Sequence, residues 1–300
     1  MTNFTNQYVP SIGLGTYNMS SEEAEFTTFH ALKHGYRHID TAAVYRNEDG
    51  VAKGVKTYLN DSDLKREDIF ITTKLWPGGL VKVDRIKDYT GTVKSFEKSL
   101  MRLSLDYIDL YLIHSPHGKS KRLEQWRALV DLKEAGKIKH IGVSNWGINH
   151  LSELKENDLP MPDANQIELH PWSQKPELVK FLRNEKIDII AYSSLVPLST
   201  WRHKDGENSK KTNEMHEIGL SENSPFKVLA EKYDVTEAQF LLKWAVQNNY
   251  AVLPKSINIE RVKQNFELNF LIDQSDMEYI TTLDKGDSIT WEYGDPLKVK

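Results

Sequence analysis

The strongest constraint on how this chain can fold is an alternation along its 300 residues: short apolar runs of strand length recur, with amphipathic stretches of helix length between them. The runs are a weak first one at Ile12 to Gly15, then Tyr36 to Asp40, Asp68 to Lys74, Tyr107 to His114, His140 to Ser144, Ala164 to Glu168, Ile187 to Tyr192 and Ala251 to Lys255. Helical spacing is read over Glu22 to His34, Tyr89 to Leu103, Leu123 to Ala135, Pro176 to Asn184, Thr236 to Asn248 and Ile259 to Leu268. The first of these has Ser20 or Ser21 to cap it and Gly35 to stop it. The second carries Val93, Phe96, Leu100 and Leu103 on one face. Eight alternations without an internal breakpoint predict an α/β fold, a closed parallel (β/α)8 barrel of the TIM type, as one domain over residues 1–300. An open doubly wound sheet would need a Gly-rich phosphate turn. After Gly13 and Gly15, the third position of that pattern is Asn18, and no Walker A motif occurs. A long polar insertion, residues 199–223, is expected to be a lid or binding loop.

Composition narrows the function classes. No cysteine is present, which excludes disulfides, thiolate zinc sites and thiol nucleophiles and fits a reducing compartment, so a cytoplasmic location is expected. A net charge of −4 gives no reason to expect nucleic acid or an anionic membrane as partner. No window approaches 18 uninterrupted apolar residues, and Met1 to Pro10 has no apolar signal core.

In such a barrel the active site lies at the carboxyl ends of the strands. The runs end in Asp40, Lys74, His114, Ser144-Asn145, Gln166, Tyr192-Ser193 and Lys255-Ser256. Singly, each is an ordinary start of a loop. Together they place titratable groups that need partners when buried around one mouth. Asp40, Lys74 and His114 can surround one point, with Tyr45 leaning over it from the next loop. A phenol is a weak acid near neutrality. A close ammonium from Lys74 is expected to lower its pKa, with Asp40 keeping Lys74 charged. His114 can orient a carbonyl. Such a group suits protonation of the alkoxide formed when hydride reaches a carbonyl. The bland alternatives are a surface tyrosine, an Asp40–Lys74 pair that only fixes the barrel, and a satisfied core histidine.

Hydride needs a cofactor, because no side chain supplies it. Tyr192 offers a flat face for a nicotinamide ring, and Ser144, Asn145 and Gln166 offer partners for a carboxamide. Lys255, Ser256 and Arg261, with Asn265 one turn on, suit a phosphate at a helix start. The alternative there is a solvated helix start.

At these residues the chain resembles the aldo-keto reductase superfamily over essentially its whole length. Gly35-Tyr36-Arg37-His38-Ile39-Asp40-Thr41-Ala42 with Tyr45 is similar to the family's first signature. Leu103 to His114 is similar to the second, and Gly142-Val143-Ser144-Asn145 and Leu253-Pro254-Lys255-Ser256 to Arg261 match the rest. The resemblance implies a catalytic tetrad of Asp40, Tyr45, Lys74 and His114, with Tyr45 as general acid, reducing aldehydes and ketones with NADPH. It implies that Gly15, Thr16, Asp40, Ser144, Asn145, Gln166, Tyr192, Ser193, Leu195, Lys255, Ser256, Arg261, Gln264 and Asn265 hold NADPH or NADP+, the 2′-phosphate falling to Lys255, Ser256 and Arg261. The substrate pocket would be lined by Tyr17, Trp76, His114, Ser115, Trp172, Trp201 and Trp291, with Tyr293 nearby and residues 285–300 as a C-terminal substrate loop. Three positions depart from the pattern: Tyr17 and Ser115 stand where relatives often carry Trp, and Gln264 where Glu is common. The implied partner is a small carbonyl compound, and relatives of this length are often monomers. Two rivals remain: a nucleotide-binding barrel with a regulatory or structural role, and a metal-dependent barrel hydrolase recruiting Asp40, His114 and His170, although no dense ligand cluster is present and no metal is expected.

Overall fold

A computed structural model describes residues 6–81, 83–198, 221, 224–286, 290 and 295–300. Among the described residues eight strands run in chain order: β1 (Leu14–Gly15), β2 (His38–Asp40), β3 (Phe70–Leu75), β4 (Ile108–Ile113), β5 (Ile138–Ser144), β6 (Ala164–Glu168), β7 (Asp188–Tyr192) and β8 (Ala251–Val252). Each pairs in parallel with the next. A parallel bridge from Ile12 to Val252, with the Gly13 amide donating to the Val252 carbonyl at 2.8 Å, joins the last strand to the first and closes the (β/α)8 barrel. The outer layer has α1 (Ser21–Lys33), α2 (Glu48–Asn60), α3 (Tyr89–Leu103), α4 (Arg122–Glu134), α5 (Ile148–Glu156), α6 (Pro176–Asn184), α7 (Pro225–Lys232), α8 (Glu237–Gln247), α9 (Ile259–Phe266) and α10 (Gln274–Thr281). The insertion at 199–223, with Trp201, lies almost wholly outside the described residues, as do Trp291 and Tyr293.

Four of these helices, α2, α5, α7 and α10, were not anticipated from spacing. For α2 the reason is physical. Gly50 lies inside it, where glycine weakens a helix by about 1 kcal/mol relative to alanine. A Cβ there would sit 2.0 Å from the Ser21 carbonyl of α1, so close packing of the two helices requires the residue that hides the helix from a propensity reading. Helix α1 starts as expected on Ser20, whose hydroxyl accepts from the Glu23 amide while Glu23 returns the bond in a capping box.

Strand periodicity fixes which residues face the barrel interior. Alternate side chains share a face. Leu110, Leu112, Ala164, Ile190 and Ala251 form one inner apolar cluster with Val9, separate from the large core between strands and helices. The Asp188 carboxylate accepts the amides of Gln7, Tyr8 and Val9 at 2.7–3.0 Å, which seats Val9 against that cluster. Continuing the same parity, Leu110 and Leu112 lead to His114, Ala164 to Gln166, and His38 to Asp40. The polar strand ends therefore follow from the apolar interior below them.

His38 is part of that interior. It is fully buried, bonded to the Thr72 hydroxyl at 2.9 Å, and burial pushes its pKa down to about 4. Between its ordinary value of 6.5 and about 4 the unfolded chain binds a proton that the folded chain does not. Stability is therefore present above pH 6.5 and lost on acidification, by roughly 3 kcal/mol from this group alone. Urea denaturation at pH 7.5 and 4.5 checks this, and equal midpoints would contradict it.

Candidate active site

Four elements bring the expected tetrad together. Lys74, near the end of β3, is completely buried and donates to Asp40 Oδ1 at 2.5 Å and to the Thr41 carbonyl at 2.9 Å. Asp40, the last residue of β2, takes a further bond on Oδ2 from Gln166 Nε2 at 2.8 Å. One carboxylate thus links β3 to β6 across the mouth. Tyr45 ends a short 3-10 turn, Ala43–Tyr45, directly after β2. Its ring centroid lies 5.1 Å from Lys74 Nζ, 5.7 Å from the His114 ring and 5.1 Å from the Tyr17 ring. His114 follows β4 and meets the edge of Trp76 at 5.6 Å.

The electrostatics differ from the sequence expectation in one respect. Lys74 does not bring the Tyr45 phenol below its ordinary value. Burial, followed by the negative field of Asp40, pushes its pKa well above the ordinary phenol value. The physical reason is visible in the contacts: the Lys74 ammonium is engaged by Asp40 and a backbone carbonyl. Lys74 itself is lowered by burial, with Asp40 opposing. His114 is held well below the usual imidazole range by burial and then by the Lys74 charge, so at neutral pH it is uncharged. Its Nδ1 is buried without a hydrogen-bond partner among the described residues.

A row of polar groups continues over the next strand ends. The Ser144 hydroxyl donates to the Gln166 carbonyl at 2.9 Å, and the Tyr192 hydroxyl donates to Asn145 Oδ1 at 2.7 Å. The Asn145 amide nitrogen donates to the His114 carbonyl at 3.1 Å. Asn145 and Ser193 hold left-handed φ values of 63° and 56°, turning the chain sharply off β5 and β7. Gly15 and Thr16 are buried at the end of β1, and Thr16 donates to the Asp40 carbonyl at 3.0 Å. Leu195 packs partly buried on the core. Beyond β8, Lys255 and Arg261 are exposed and Ser256 is half-buried. Arg261 and Gln264 stand exposed on α9 with buried Asn265, and Asn258 caps that helix by accepting from the Arg261 amide at 3.1 Å. Amide and hydroxyl groups stand near the tetrad, with exposed cations at a capped helix start beyond them, and the chemistry of this donor set suits a dinucleotide.

The pocket residues divide. Tyr17 and Trp76 present surface beside Tyr45 and His114. Ser115 is completely buried, with its hydroxyl 3.0 Å from His117 Nδ1. Trp172 is also buried, edge-on to Phe226 at 5.7 Å and beneath Lys285 at 4.4 Å, in packing rather than open wall. Of the C-terminal loop, Thr290 donates to Glu168 Oε2 through its hydroxyl at 2.8 Å, and His150 bonds the Val299 carbonyl. His170 pairs with Glu168 at 3.0 Å rather than with Asp40 or His114. Among the described residues no three His, Asp or Glu side chains converge as a metal-binding group.

Two residues close to the tetrad escaped the sequence reading. Asn47 is fully buried; its amide nitrogen donates to the carbonyls of Thr16 and Met19 at 2.8 and 3.0 Å, and its Oδ1 accepts from Thr41 at 2.7 Å. It ties the loop carrying Tyr17 to the loop carrying Tyr45. Glu48 accepts from the Thr73 hydroxyl at 2.7 Å and from Arg102 Nε at 2.6 Å, behind Lys74. In sequence the adjacent Asn47-Glu48 pair carries no signal of these partners, which are distant in the chain.

Comparison with known proteins places the chain in a family. The family model described as Aldo/keto reductase family matches residues 11–285. A glyoxal reductase of Bacillus subtilis (strain 168) is 38% identical over 283 residues, covering 94% of this chain and 91% of its own. The crystal structure of an aldo-keto reductase from a Medee basin deep-sea metagenome library superposes with a TM-score of 0.81 at 37% identity, covering 96% of both chains. An aldo-keto reductase of Bombyx mori in complex with NADP gives a TM-score of 0.81 at 29% identity, covering 96% of this chain and 95% of that one. By fold and sequence, the chain belongs to the aldo/keto reductase family.

Proposed function

We propose that this protein reduces small aldehydes and ketones to alcohols with NADPH, Tyr45 giving the proton. The observation that carries the reading is the convergence of Tyr45, Lys74, Asp40 and His114 at one end of the barrel, beside a row of cofactor-type partners. When bound, the dihydronicotinamide supplies hydride to the carbonyl carbon. Tyr45, kept protonated by burial, is loaded as a donor at neutral pH. Its proton moves only as charge grows on the substrate oxygen. Lys74 then stabilises the phenolate left behind, and Asp40 compensates the buried ammonium. Neutral His114 donates a hydrogen bond that orients the carbonyl. Ser144, Asn145 and Gln166 would hold the carboxamide end of the cofactor, and Tyr192 would offer its flat face to the ring. Lys255, Ser256 and Arg261 hold the 2′-phosphate.

A glyoxal reductase among the relatives favours small, reactive aldehydes as substrates. The reading carries with it a monomeric state and a cytoplasmic setting, the latter resting on the cysteine-free composition. A panel of carbonyl compounds with NADPH and NADH tests it, with carbonyl-dependent oxidation of NADPH expected. Tight NADPH binding with no turnover of any carbonyl would return the chain to a nucleotide-binding role without catalysis. Arg261→Ala is expected to raise the Kd for NADPH by about 10- to 100-fold while leaving that for NADH unchanged. Unchanged coenzyme preference in titrations of that variant would refute the phosphate role.

A further inference from the structure

Trp76 stands edge-on against His114, and the loop that follows it is built to hold it. The indole N–H donates to Asp84 Oδ2 at 2.7 Å. The backbone carbonyl of the same residue accepts from Lys87 Nζ at 2.5 Å. Both partners come from one loop, between β3 and α3. That loop is itself fixed: the Lys87 amide donates to the Pro77 carbonyl at 2.9 Å, and the Gly79 amide to the Asp84 carbonyl at 3.1 Å. Gln125, buried on α4, donates to the carbonyls of Pro77 and Lys87 at 3.1 and 2.8 Å. Gly78 holds a φ of 83°, and a Cβ there would meet the Arg85 carbonyl at 2.1 Å, so the loop closes tightly upon itself.

We propose that Asp84 is a positioning residue that sets the width of the carbonyl pocket by pinning the Trp76 indole edge-on to His114. The inference rests on the carbonyl-reductase reading and names a specificity determinant of that same site. With its one polar atom engaged by Asp84, the indole offers only carbon to a substrate. Loss of the bond frees the ring to rotate about its side-chain torsions, and a rigid wall becomes a mobile one. A bulky aldehyde relies on that wall for its binding; a two- or three-carbon aldehyde hardly reaches it.

The test compares methylglyoxal with 4-nitrobenzaldehyde at saturating NADPH. Asp84→Leu is expected to raise KM for the aromatic aldehyde about tenfold while kcat for both substrates stays within about twofold. Asp84→Asn keeps an acceptor for the indole and is expected to restore KM to within about threefold of the parent. In a Trp76→Phe background, which has no N–H to hold, Asp84→Leu is expected to add nothing. An unchanged KM in Asp84→Leu overturns the inference, and so does an equal KM rise with and without the indole. Should Asp84→Leu not fold, Trp76→Phe alone must show the KM rise, and a parental KM there overturns the inference equally. A parent enzyme that turns over no carbonyl sinks the reductase reading instead, so the two failures are distinct.

Discussion

Replacing Lys74 by methionine is expected to destabilise the protein by about 3–5 kcal/mol and to lower turnover on the order of a hundredfold. Stability falls because the substitution leaves Asp40, 3% exposed, as a buried carboxylate with Gln166 as its remaining side-chain partner. Turnover falls because nothing then stabilises the phenolate that Tyr45 becomes. The two effects separate in a double variant. Adding Asp40→Asn removes the uncompensated charge, so much of the lost stability returns while activity does not. Urea denaturation of the parent, both single variants and the double variant measures the coupling. Strictly additive stability losses would show that the 2.5 Å contact between Lys74 and Asp40 contributes nothing to the fold.

Much of this site was legible because strand parity leaves few choices. Once Leu110 and Leu112 face the interior, His114 must follow them to the mouth, and Asp40 and Lys74 obey the same rule. The exact repeat of Tyr89–Leu103 as α3 shows how a strong apolar stripe survives into the fold. What could not be read has physical causes. Helix α2 was concealed by Gly50, whose missing side chain matters only against Ser21. Asn47 works by bonding backbone carbonyls 28 and 31 residues away, and no local pattern reports such partners. The direction of the Tyr45 shift is set by burial and then by the Asp40 charge, both of which raise it. Sequence names the neighbouring groups but not how deeply Tyr45 is buried among them. Trp172 and Ser115 had side chains suited to a pocket wall, yet neighbouring Phe226 and His117 take them up. Asp84 lies in a loop between β3 and α3 where no spacing singles it out.

Tyr45→Phe is the substitution that isolates the proposed proton. The ring and its contacts with Tyr17 and His114 remain, and only the hydroxyl is lost. Because burial holds His114 uncharged, that residue has no spare proton to give in its place. General acid catalysis of this kind contributes about 10²- to 10⁴-fold, and the variant should lose that much in kcat. Cofactor affinity should stay within about twofold, since none of the proposed phosphate or carboxamide partners changes. The decisive measurement is kcat for reduction of a generic aldehyde at saturating NADPH, parent against Tyr45→Phe, with NADPH binding titrated in parallel. A fall of at least a hundredfold with unchanged NADPH affinity is expected; equal turnover in the two proteins would show that the phenol does not supply the proton.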